Sequence, residues 1–121
     1  MEKKTPQDIK ERTFEFSLRI INLVQHLPEN TIGRTLGKQV LRSGTSVGAN
    51  VEEAESAYTK DDFIYKMNIS LKEARETHYW LRLIMKSKLV KPNRLESITT
   101  ESEELKKILG AIVSKARGKS K

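Results

Sequence analysis

The chain contains no cysteine. Disulfides and thiolate metal sites are therefore excluded, and the composition suits a reducing compartment, for which we expect the cytoplasm. Aromatic residues are scarce, at 6%, which fits surface-rich helices better than a β-sandwich. No apolar run approaches the roughly 20 residues of a membrane span, so no membrane partner is expected. Met1-Glu2-Lys3-Lys4 leads into no apolar stretch, so no signal peptide is expected either. The histidine count is 2. No nucleophile is expected to work with His26 or His78, and a Ser-His-Asp arrangement has no support.

Glycine is also sparse, yet Gly33, Gly37, Gly44 and Gly48 fall within one helical stretch. At 3.6 residues per turn they occupy an arc of roughly 60°. Each costs a helix interior about 1 kcal/mol relative to alanine, so the set costs on the order of 4 kcal/mol. Such a stripe reads as a surface for close helix packing. It is not a phosphate loop, because no strand precedes it and no Gly-Lys-Ser/Thr ending follows. On the opposite side of the same helix, Arg42, Ser46, Asn50 and Glu53 share roughly 80° of arc. One of these two faces is expected at a subunit contact, and periodicity alone does not say which lies inside.

The prolines mark boundaries. Thr5 and Pro6 read as N-cap and first helical residue. Ile9, Phe16, Ile20, Leu23 and Leu27 then recur at helical spacing, widened by Phe14, Leu18 and Ile21. Pro28 ends this helix. In the second helix Leu36, Val40, Val47, Val51 and Tyr58 flank the glycines. Thr59 and Asp62 form a capping pair for the third helix, where Phe63, Met67, Ala74, Leu81 and Ile84 line one seam. Pro92 precedes a fourth helix carrying Leu95, Ile98, Ser102, Leu105, Leu109, Ile112 and Ala116, and Gly118 closes it. The four helices are expected at about 6–27, 32–58, 60–87 and 93–116. Their short connections predict an all-α, up-down-up-down four-helix bundle forming one domain over residues 1–121. Tyr58, Tyr65, Tyr79 and Trp80 sit within helical patterns and are expected to pack.

Glu73 and Glu76 lie one turn before Trp80 in an apolar seam, where carboxylates need partners. Arg42, Arg19, Asn50 and His78 are the candidates. One reading is a carboxylate metal or acid–base site that includes Glu53. The other is a structural polar network of Arg42, Ser46, Asn50, Glu53, Glu73 and Glu76. No Glu-x-x-His motif occurs, so a ferritin-like di-metal site is not indicated, and no cofactor or metal is expected.

The formal net charge is +7, which permits an anionic partner. Arg82, Lys86, Lys88, Lys91 and Arg94 cluster without an acid residue beside them in the third–fourth helix turn. A bundle would bring Arg34 and Lys38 to the same end. Lys115, Arg117, Lys119 and Lys121 would share the other end with Lys3, Lys4 and Lys60. The first group is the candidate nucleic-acid surface, positioning phosphates without reading bases.

Leu41 to Leu83, LRSGTSVGANVEEAESAYTKDDFIYKMNISLKEARETHYWLRL, resembles the four-helix-bundle family named after intervening sequences in bacterial 23S ribosomal RNA genes. The resemblance spans about Phe14 to Ser87, with Leu27-Pro28 also fitting. It rests on the order of Arg42, Ser46, Asn50, Glu53, Phe63, Glu73, Glu76 and Trp80; the fourth helix matches in pattern only. It implies up-down bundles that assemble as ring-shaped homopentamers with no established enzymatic activity. A related group, the accessory variability proteins of diversity-generating retroelements, forms basic barrels that bind nucleic acid and a reverse transcriptase. Glu52, Glu53 and Glu55 depart from a uniformly basic barrel. The expected function is thus a non-enzymatic homo-oligomer that binds RNA or DNA. The alternatives are a protein-interaction adaptor and a carboxylate metal protein.

Overall fold

The computed structural model describes residues 7–118. Four α-helices, α1 (Gln7–Gln25), α2 (Thr31–Glu55), α3 (Lys60–Lys86) and α4 (Glu96–Ala116), follow one another, with a 3₁₀ turn at Pro92–Arg94 before the last. No strand occurs among the described residues. Successive helices pack against each other, α2 on α3 most extensively, and α1 meets α4 along a thinner seam. This is the up-down-up-down bundle that short connections predict.

The caps explain the boundaries. The Asn30 side chain accepts a hydrogen bond from the Gly33 backbone N–H at 2.8 Å and starts α2. Thr59 accepts from Asp62 N–H at 3.0 Å and starts α3, with Asp61 and Asp62 complementing the helix dipole. The expected Thr5–Pro6 start lies outside the described residues. α1 stops at Gln25, two residues before the expected end, because His26 and Leu27 turn into tighter i→i−3 bonds ahead of Pro28. α2 stops at Glu55, so Tyr58 falls outside it and is 98% exposed. The expectation that Tyr58 extends the apolar face was wrong for this reason. Lys88, with φ 60°, and Gly118, with φ 75°, stand in the left-handed region just after α3 and α4.

Ile9, Phe16, Ile20, Val40, Val47, Val51, Met67, Leu81, Ile84, Leu105 and Leu109 fill the centre. The glycine face lies inside this chain, against α1. A Cβ on Gly33 would overlap the Pro28 carbonyl oxygen. One on Gly44 would fall 2.8 Å from Ile20 Cγ1, and one on Gly48 would fall 3.1 Å from the Thr13 carbonyl oxygen. The missing side chains let α1 and α2 approach at backbone distance. Toward α3 the same helix uses hydroxyls instead. Ser70 donates to the Val47 carbonyl at 2.7 Å. Thr77 lies 2.7 Å from the Glu73 carbonyl and 2.9 Å from the Ser43 hydroxyl. Thr77 has one proton, which the carbonyl takes, so Ser43 donates to Thr77. Arg12 joins α1 to α4 through a fork onto Glu101 at 2.7 and 3.1 Å, with Glu104 at 2.9 Å.

Candidate nucleic-acid interface

The chain direction alternates, so the C-terminal ends of α1 and α3 share a pole with the N-terminal ends of α2 and α4. Arg34 and Lys38 come from the start of α2, Arg82 and Lys86 from the end of α3, and Lys88, Lys91 and Arg94 from the connection to α4. All of them are exposed. None lies within ion-pair distance of a carboxylate among the described residues. Glu29 and Glu96 also sit at this pole, both exposed, and neither pairs with any of these cations. Arg82 packs its guanidinium 6.0 Å from the Tyr79 ring centroid, which leaves its charge available.

The opposite pole is different in kind. Asp8, Glu11, Glu52, Glu53, Glu55, Asp61 and Asp62 lie at or near its helix ends. Lys10 pairs with Glu55 at 3.0 Å and Lys66 with Glu53 at 2.7 Å. Lys60, Lys115 and Arg117 are exposed there; Lys3, Lys4, Lys119 and Lys121 lie outside the described residues. Among the described residues this pole is mixed in charge, contrary to the expected second basic end, because the ends of α2 and α3 that meet there are acidic.

The conspicuous glutamates take Arg42 as their partner. Its Nη1 lies 3.4 Å from Glu73 Oε1, its Nη2 donates to Glu76, and Gln39 accepts from it at 3.1 Å. Trp80 Nε1 donates to the same Glu76 oxygen at 2.9 Å. Ser46 and Asn50 instead donate to carbonyls one turn back within α2, those of Arg42 and Ser46, at 2.7 and 2.9 Å, and Glu53 goes to Lys66. The six polar residues thus divide into a guanidinium–carboxylate cluster, two local helix bonds and a separate ion pair. Arg19 and His78 point elsewhere. Arg19 donates to Ser97 at 2.8 Å. His78 faces α4, where Lys106 Nζ approaches Nδ1 at 3.3 Å and Nε2 faces Glu103 at 3.3 Å. Burial, assisted by Lys106, pushes the imidazole pKa below its ordinary value, and the nearby Glu103 only partly opposes this. The ring, clamped between a lysine and a glutamate, joins two helices.

Sequence periodicity misplaces several apolar groups. Phe14, Leu18 and Ile21 do not widen the core; they are exposed along the outer face of α1, at 58%, 48% and 39%. Tyr65 and Tyr79 are also exposed, and only Trp80 is half-buried. Beside that face, between α1 and the α3–α4 connection, opens a cleft of about 570 Å³. Leu18, Leu23, Val90 and Ile98 are apolar lining residues, while Arg19, His26, Lys91 and Arg94 bring basic groups, and no acid among the described residues lines it. Nothing in the linear pattern signals this cleft, since its walls come from opposite ends of the chain.

No group of three or more histidine and carboxylate side chains able to hold a metal occurs among the described residues. Among the described residues no helix is long and apolar enough to cross a membrane. No curated protein matches the chain. A crystal structure of a protein of unknown function from the S23 ribosomal protein family of Bacteroides thetaiotaomicron VPI-5482 is similar, at 45% identity and TM-score 0.81. The match covers 87% of this chain and 97% of that one. The family model described as 23S rRNA-intervening sequence protein matches residues 6–111. With a family match over residues 6–111 and a fold shared with a protein 45% identical to it, the chain belongs to the 23S rRNA-intervening sequence protein family.

Proposed function

We propose that this protein is a non-enzymatic helical bundle that assembles with copies of itself and binds RNA or DNA through phosphate contacts at its basic pole. The observation that carries the reading is a set of exposed cations, Arg34, Lys38, Arg82, Lys86, Lys88, Lys91 and Arg94, with no carboxylate among the described residues paired to any of them. Surface cations without internal partners are free to displace the counterions of a phosphate backbone. Lys88 adds to this: it holds a left-handed conformation in which glycine would be less strained.

Self-assembly is supported by two unlike apolar faces. α1 exposes Phe14, Leu18 and Ile21, and α3 exposes Tyr65, Tyr79 and Leu83. Contact between unlike patches is heterologous and closes into a ring when the rotation permits, as in the homopentamers the family resemblance implies. If the same faces dock another protein, the adaptor reading applies. The metal reading draws no support from the glutamates, because Arg42 and Lys66 already supply the positive charge.

A mobility-shift titration tests the nucleic-acid reading. The complex is expected at low salt and should weaken steeply as salt rises. Joint Arg82→Ala and Lys86→Ala substitution should lower the slope of log affinity against log salt by about 2. Absence of any complex at low salt removes the reading. Solution mass and a pull-down after nuclease treatment separate self-assembly from a protein partner.

A further inference from the structure

The cleft between α1 and the α3–α4 connection combines an apolar wall with basic groups. Its lining includes Leu23, Val90 and Ile98, and Ile98 is 4% exposed, so apolar core surface is reached from solvent. Lys91 and Arg94 stand at the same opening and make no ion pair among the described residues. Arg19 donates to the neutral hydroxyl of Ser97 at 2.8 Å and makes no ion pair among the described residues. Asn22 contributes an exposed amide, and its backbone carbonyl lies 2.7 Å from His26 Nδ1. A carbonyl only accepts, so Nδ1 carries the proton and donates.

A bare phosphate would leave the apolar wall unused, and a neutral apolar molecule would leave the cations unused. The lining asks for an anion carried on a body with an apolar face, and a cleft near 570 Å³ lies within the range that holds small ligands. We propose that this cleft binds one nucleotide unit, with its phosphate on Lys91 and Arg94 and its base against Leu23, Val90 and Ile98. Asn22 is placed to hydrogen-bond the base edge. The inference rests on the reading of the basic pole as a phosphate-binding surface, since Lys91 and Arg94 belong to both. It adds a base-sized pocket to a surface otherwise limited to backbone contacts.

Calorimetric titration with the nucleoside 5′-monophosphates, the corresponding nucleosides and inorganic phosphate tests the assignment. The monophosphates should bind at least tenfold more tightly than either part alone. Val90→Trp, which fills the cleft from a half-buried position, should weaken them at least tenfold. Asn22→Trp fills it from the exposed side of α1 and serves if the first variant melts early. An oligonucleotide carrying 2-aminopurine distinguishes the source. A fluorescence rise with the wild-type protein that either filling variant removes assigns the cleft to an unstacked nucleotide of a strand. Monophosphate binding without that rise assigns it to a free nucleotide. Inorganic phosphate binding as tightly as the monophosphates, or unchanged monophosphate binding in the filled variants, overturns the proposal. In that case a strand complex that still forms at low salt leaves the basic-pole reading standing. Loss of that complex with monophosphate binding intact overturns the basic-pole reading and leaves the pocket.

Discussion

Along α1, helix α2 presents Gly33, Gly37, Gly44 and Gly48; along α3 it presents Ser43, the Val47 carbonyl and, further out, Arg42. Both seams bring helices close, but they do so with different chemistry. At the first seam closeness depends on atoms that are absent, and the nearest neighbours of Gly33 and Gly48 are backbone groups of the α1–α2 turn and of α1. Backbone in a packed helix does not move aside, so an added methyl has nowhere to go. At the second seam small hydroxyls fill the space and hydrogen-bond into it. Removing one oxygen there leaves a small void and no overlap. The outer edge of this seam is finished by a guanidinium between two carboxylates, with Arg42 48% exposed and Glu73 17%. An ion pair of that exposure contributes little to stability, so its weight falls on holding register.

Substitutions sharpen the contrast. Gly33→Ala should be the most damaging, because its Cβ overlaps the Pro28 carbonyl oxygen and displaces the turn that Asn30 caps. A loss of more than about 2 kcal/mol in urea denaturation is expected. Gly44→Leu meets Ile20 and should lose about 1–3 kcal/mol or more; a wild-type melting curve for either variant would break the comparison. Ser70→Ala, on the other seam, should cost about 1 kcal/mol, the value of one buried hydrogen bond, and should leave the fold intact by circular dichroism. Gly110→Ala is the control. Its Cβ meets nothing within 4 Å, so it should stabilise by about 0.5–1 kcal/mol through helix propensity alone. Destabilisation at Gly110 would mean that glycine is demanded throughout the bundle and not only where α1 lies against α2.

The seams also show where reading the linear chain stops. The arc of the glycines and the opposing arc of Arg42, Ser46, Asn50 and Glu53 both follow from helical periodicity. Which arc faces inward does not, because each is a coherent stripe. The partner of Glu73 and Glu76 was open among four residues for the same reason: periodicity aligns residues on their own helix but not across helices. Phe14, Leu18 and Ile21 repeat at helical spacing as a core stripe would, and their exposure is decided by how α1 is rotated against α2. The Arg12–Glu101 fork and the cleft join residues far apart in sequence, and no local signal marks either one.

The order of residues alone determined that the chain is helical, where proline and capping residues interrupt it, and that its cations gather near two connections. Those properties arise from backbone propensity and from spacing within one helix, which act locally. Only the tertiary structure decided that the glycines face α1, that Arg42 answers the glutamates, and that among the described residues one pole keeps its cations unpaired while the other joins lysines to glutamates. Those outcomes depend on the rotation of each helix about its axis, which is set by packing against neighbours distant in the chain.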